Sequence, residues 1–174
     1  MPNTFTLIAS STAGAGGTAA FNFTSIPSTF TDLCIITSLR SERTTGGTDN
    51  LRLEINSSSG NFSYIYLEGT GSAATSGSDT TNIVGYLTQD GGTVGWTANT
   101  FTSTSIYIPN YAGSNNKSIS VDTVTENSAV LAYSYLFASL WSQTAAITSL
   151  TLKTGSGSDL TQYSTAYLYG IVKS

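Results

Sequence analysis

Residues 105–152 read SIYIPNYAGSNNKSISVDTVTENSAVLAYSYLFASLWSQTAAITSLTL and hold the densest apolar and aromatic material in the chain. They read as four strands joined by three turns. Ile106 and Ile108 alternate with Ser105 and Tyr107 until Pro109, which has no N–H for a sheet ladder, ends the run. In the AGSNNK segment Gly113 is free in φ, and Asn115 and Asn116 tolerate left-handed backbone, so a turn belongs there. Ile119 and Val121 resume the period of two. Val124 falls out of phase with them, which predicts a bulge near Asp122 or Thr123. Beyond it Leu131, Tyr133, Tyr135, Phe137 and Trp141 share one parity, with Val130, Ala132, Leu136, Ala138 and Leu140 on the other. Two apolar faces predict a strand buried on both sides. A helix is the rival here, since Val130, Tyr133, Phe137 and Leu140 also fit a helical stripe, but the aromatics are better ordered by strand parity.

Working outward, residues 101–108 lead into this stretch, and a last strand at 166–172 follows a polar loop after it. Upstream, Leu51, Leu53 and Ile55 alternate with Arg52, Glu54 and Asn56 as a half-exposed strand, and the run at 62–67 sets Tyr64 and Tyr66 against Ile65 and Leu67. The serines and Gly60 between these two runs predict a hairpin. Residues 69–81, built from Gly, Ser, Ala and Thr, read as a long surface loop. Short strands at 4–9, 19–23, 32–39 and 82–87 complete the pattern. About ten strands without strand–helix alternation predict an all-β fold, an antiparallel β-sandwich of jelly-roll type with little helix. The 174 residues fit one domain, with residues 1–18 as an N-terminal arm or an edge strand.

Composition narrows the function. Only 9% of the residues are charged, against about 25% in ordinary soluble domains. Ser, Thr, Gly and Asn replace Lys and Glu, as suits a surface committed to neighbours. The net charge is −4, and six scattered basic residues make no stripe for nucleic acid. No apolar run is long enough for a membrane helix, and the opening MPNTFTLIAS is not expected to be a secretory leader. The single Cys34 reads as a small buried hydrophobe.

Catalytic chemistry finds few candidates. Without histidine, neither a Ser–His–Asp nor a Cys–His nucleophile can be built, and one cysteine makes no zinc site of the usual kind. Two carboxylates would suffice for a glycosidase, with Asp122 and Glu126 or Glu54 and Glu68 as pairs, but solvated strand-edge charges explain them as well. The turns TTGGTDN and LTQDGGT could offer oxygens to calcium, yet neither has EF-hand spacing. No catalytic residue, cofactor or metal is therefore expected. The ten Tyr, seven Phe and two Trp say more. Phe101, Phe137 and Trp141 are core candidates, whereas Phe5, Leu7, Tyr64, Tyr66, Tyr107 and Tyr111 are the candidate interface, with Trp96 as a further ring.

The segments IYIPNYAGSNNKSIS, VTEN, LWSQTAAITSLTL and YLYGI, with FTLIAS, IPSTFTDL and LRLEINSSSGNFSYIYLEG, resemble a family of small tailed-bacteriophage virion structural proteins. The resemblance spans most of the chain and is weakest over residues 69–99. It implies a β-sandwich in the virion, assembled in the host cytoplasm, with no catalytic residues. Two roles follow from it. One is a capsid decoration or cement protein, a homotrimer on the major capsid protein that bridges capsomers. The alternative is a tail-fibre or tail-tip module that binds a host cell-surface glycan. A single compact domain without a repeat stem or coiled coil suits the capsid better.

Overall fold

The computed structural model describes residues 4–91, 95–127 and 131–172. Twelve strands and no helix occur among them. In chain order these are β1 (Phe5–Thr12), β2 (Ala20–Phe23), β3 (Asp32–Ser41) and β4 (Asp49–Ile55). Next come β5 (Phe62–Gly69), β6 (Ala74–Asp79), β7 (Ile83–Gln89) and β8 (Thr102–Pro109). The last four are β9 (Lys117–Asn127), β10 (Leu131–Trp141), β11 (Leu150–Thr154) and β12 (Thr165–Ile171).

All twelve join in one open mixed sheet of order β2-β11-β4-β7-β3-β8-β9-β10-β5-β6, with β12 and β1 branching from β3. Strand β3 makes the branch possible because its stretches have different partners. Its first seven residues pair with β12 on one side and β8 on the other, whereas Arg40 and Ser41 pair in parallel with Thr88 and Gln89 of β7. Every other ladder is antiparallel. The sheet thus has a run of eight strands, β1-β12-β3-β8-β9-β10-β5-β6, and a run of four, β2-β11-β4-β7.

Strand β7 of the short run packs on β9 and β10 of the long one. Tyr86 of β7 packs on Tyr135 of β10 at 4.8 Å between ring centres. Gly85 of β7 faces Thr123 of β9 so closely that a β-carbon there would sit 2.8 Å from the threonine hydroxyl. Between the runs is one continuous core. Leu51, Leu53 and Ile55 of β4 share it with Leu33 and Ile35 of β3, Ile106 and Ile108 of β8, and Phe137 and Trp141 of β10. Ile147, Leu150 and Leu152 are also buried there.

Several sequence expectations change. The hairpin between 51–55 and 62–67 does not form: β4 pairs with β11 and β7, and β5 pairs with β10 and β6. The connecting loop instead carries the chain from one run to the other. Asn56, Ser57 and Asn61 take positive φ in it, and the Asn56 side chain is tied across to Ala146, Thr148 and Ser149. Residues 74–79, read as loop, are the edge strand β6, because pairing with β5 satisfies their backbone without help from side chains. The bulge expected near Asp122 is absent: β9 runs in unbroken register with β10, and Val124 points to the opposite face from Ile119 and Val121. Shifts in register occur instead between Leu7 and Ala9 and between Leu51 and Arg52. Phe101 is only half-buried.

Candidate functional site

In a pleated strand, alternate side chains leave on opposite faces. In the eight-strand run one set enters the core, and the other faces away from β7 and β4. Phe62 and Tyr64 of β5 go in, while Ile65 and Leu67 face out, each 61% exposed. Tyr135, Phe137 and Trp141 of β10 go in, while Leu136 and Leu140 face out beside Ala132 and Ala138. The strand expected to be buried on both sides is therefore covered on one. Two apolar faces need not be two buried faces: among the described residues no strand covers the second, and that face is open.

Register makes these outward residues contiguous. Leu136 sits opposite Leu67, and Ala138 opposite Ile65. Two depressions of about 810 and 480 Å³ open beside this aliphatic ridge, both bordered by Ile65 and Ala138, with serines of β6 and β9 as their far walls. Farther along, Val124, Tyr107 and Ile36 are exposed, with Tyr167 opposite Ile36. At the other end Leu7 lies opposite Tyr169, and the Phe5 ring meets Tyr169 edge-on at 6.2 Å. Among the described residues, the only exposed large apolar side chain off this face is Tyr163, in the loop before β12.

Charge is sparse on the face. Asp32 and Asp122 are its charged side chains among the described residues, with Asp79 at the border of the larger depression, and none of the described lysines or arginines stands on it. Asp32 is already engaged, accepting from the Tyr107 hydroxyl at 2.8 Å and the Asn110 N–H at 2.9 Å. That hydrogen bond holds the phenol proton and pushes the Tyr107 pKa up. Cys34, on the same parity, is buried, and desolvation raises its thiol pKa above the usual value.

Of the candidate interface residues, Phe5, Leu7 and Tyr107 are on this face. Tyr64, Tyr66 and Tyr111 are not. Tyr64 and Tyr66 point into the core side, where both rings pack on Phe137. Tyr111 is wholly buried, and its hydroxyl donates to the Pro27 carbonyl. Trp96 is also buried, with its ring N–H donated to the Gly47 carbonyl at 2.9 Å. The ridge is made instead by the aliphatic residues Ile65, Leu67, Leu136 and Leu140, which lack a polar handle and whose only signal in sequence is an apolar residue on the second face of a strand.

The carboxylate candidates separate. Asp122 lies exposed on the apolar face, and the Glu126 side chain is outside the described residues. Glu54 pairs with Lys153 at 2.6 Å on β4 and β11, whereas Glu68 belongs to β5, in the other run. In the turns considered for calcium, Asp49 accepts from the Ser41 and Ser156 hydroxyls, both at 2.6 Å, and Asp90 binds Arg40 Nε at 2.5 Å. Both carboxylates therefore already hold loops together. No group of three or more acidic, His or Cys side chains suited to a metal occurs among the described residues. No family model, curated protein or solved structure matches the chain.

Proposed function

We propose that the chain is a structural component of a tailed-bacteriophage particle, a capsid decoration protein seated as a homotrimer on the major capsid protein. The observation that carries this reading is the open apolar face. A protein working alone in water rarely keeps so large a contiguous apolar patch uncovered. A subunit whose surface is committed to neighbours does, and the low charge of the rest of the surface agrees with that. The resemblance to phage virion proteins supplies the particle, and a cement role between capsomers suits a surface committed to neighbours. The architecture is read as a sandwich of jelly-roll type, with β7 and β4 as the layer over β8, β9 and β10; the Tyr86–Tyr135 and Gly85–Thr123 contacts support two stacked layers. In this role the protein needs no cofactor and performs no catalysis.

A tail-fibre or tail-tip module for a host glycan is the second reading, favoured by Tyr107 and Tyr167, exposed rings on which a sugar could stack. Imaging of particles carrying a labelled copy tests both. Label at regular positions over the head is expected. Label confined to the tail tip selects the glycan reading, and particles without label overturn the virion assignment.

A further inference from the structure

We propose that the open face is the contact between copies of this chain, made head to tail. The aromatic rim of β1 and β12 on one copy seats in the aliphatic trough of β5 and β10 on the next. This rests on the reading of the chain as an assembly subunit and names the surface and partner that reading leaves open.

Three observations select a second copy. The first is area. Eight strands about 4.8 Å apart, about nine residues long at about 3.3 Å each, present roughly 1,100 Å². Shared between two neighbours, that is roughly 550 Å² per contact, and only the two contacts together exceed the ~800 Å² each partner gives to a standard stable interface. The second is charge. With Asp32 already hydrogen-bonded, only Asp122 and the bordering Asp79 left as carboxylates and no basic side chain among the described residues, the face offers little to a strongly charged partner. An equally neutral surface fits it, and this chain's own face is one.

The third is shape, and it decides the geometry. Strands in a sheet turn by about 20° per step, so the two ends of an eight-strand run differ in direction by roughly 140°. One flat partner cannot cover both, so each end must meet a different neighbour. The ends are also unlike. Phe5, Leu7 and Tyr167 stand out from one, whereas the other has the depressions of about 810 and 480 Å³ beside Ile65 and Leu136. Packing trough on trough would leave those depressions empty; rings from the rim fill them. Contacts of this heterologous kind close into a ring when the rotation permits. Every copy then covers its whole face with two modest contacts.

The test uses two double variants, Phe5→Ser with Leu7→Ser in the rim and Leu67→Ser with Leu136→Ser in the trough. Circular dichroism checks their folding, and Tyr163→Ser serves as an exposed control off the face. In sedimentation the intact chain and the control should form the same closed oligomer, and each double variant should be monomeric. Mixing the two variants should give a one-to-one pair, since one intact rim then meets one intact trough. A rim variant that still self-associates like the intact chain overturns the head-to-tail contact in favour of trough against trough. An intact chain that stays monomeric yet decorates shells overturns the self-contact and the homotrimer, and leaves only the capsid assignment standing. A chain that neither associates nor binds particles loses both.

Discussion

Arg40 is the side chain on which the loops around β7 converge. Buried at the end of β3, its guanidinium donates to Asp90, to the Gln89 carbonyl at 2.6 Å, and to the Thr97 and Thr100 carbonyls at 3.1 and 2.8 Å. Arg40→Met should cost about 3–5 kcal/mol in urea unfolding, because the Gln89, Thr97 and Thr100 carbonyls lose their donor. Asp90→Asn should cost about 1–3 kcal/mol, because the buried guanidinium loses its counter-charge while keeping its carbonyl acceptors, and the carboxylate itself is half in water. Trp141, buried at 3% exposure, should cost about 3–5 kcal/mol as Trp141→Ala. The tyrosines set the alkaline limit. Burial raises the pKa of Tyr64, Tyr111 and Tyr135 above the usual 10.0 and pushes Tyr86 up to about 12. Above pH 10 the unfolded chain loses phenolic protons that the folded chain keeps, so stability falls as pH rises from 10 towards 12. Lys117 opposes this weakly: burial lowers its pKa, so the unfolded chain holds that one proton longer. Tyrosinate absorbance should therefore rise in two stages, exposed rings first and buried rings only with unfolding. A single stage, with the fold intact, would contradict the burial.

Among the elements, β7 and β6 show what alternation leaves out. Strand β7 can lie close on β9 only because Gly85 has no side chain where Thr123 approaches. Gly85→Val should push the two apart and cost about 1–3 kcal/mol by overpacking, visible as a lower denaturation midpoint with unchanged slope. Strand β6 has no apolar stripe to announce it. Its Gly77 lies under the Tyr66 ring, where a β-carbon would come within 2.8 Å, and its other residues contribute mainly backbone. Composition alone could not reveal a strand held by its neighbour's ladder. The expected hairpin fails for the related reason that strand existence is a local property and strand pairing is not: β4 and β5 are adjacent in sequence but serve different runs.

For the molecule as a whole, the open face predicts a contrast. Leu67→Ser or Leu136→Ser should shift monomer stability by no more than about 0.5 kcal/mol, since neither side chain is in the core. The same changes should abolish self-association, and a large loss of monomer stability would show that the face is covered within the chain. Alternation and turn residues in the sequence were enough to establish an all-β chain, to place most of its strands, and to put Leu51, Leu53, Ile55, Phe137 and Trp141 in the core. Those are local signals, written within a few residues of where they act. Composition likewise marked a surface poor in charge. Only the tertiary structure decided which strands pair, that 74–79 is an edge strand, and which apolar face of β10 is covered. An apolar residue reads the same in sequence whether its cover comes from this chain or from another, because the cover is supplied by residues distant along the chain or on a different molecule.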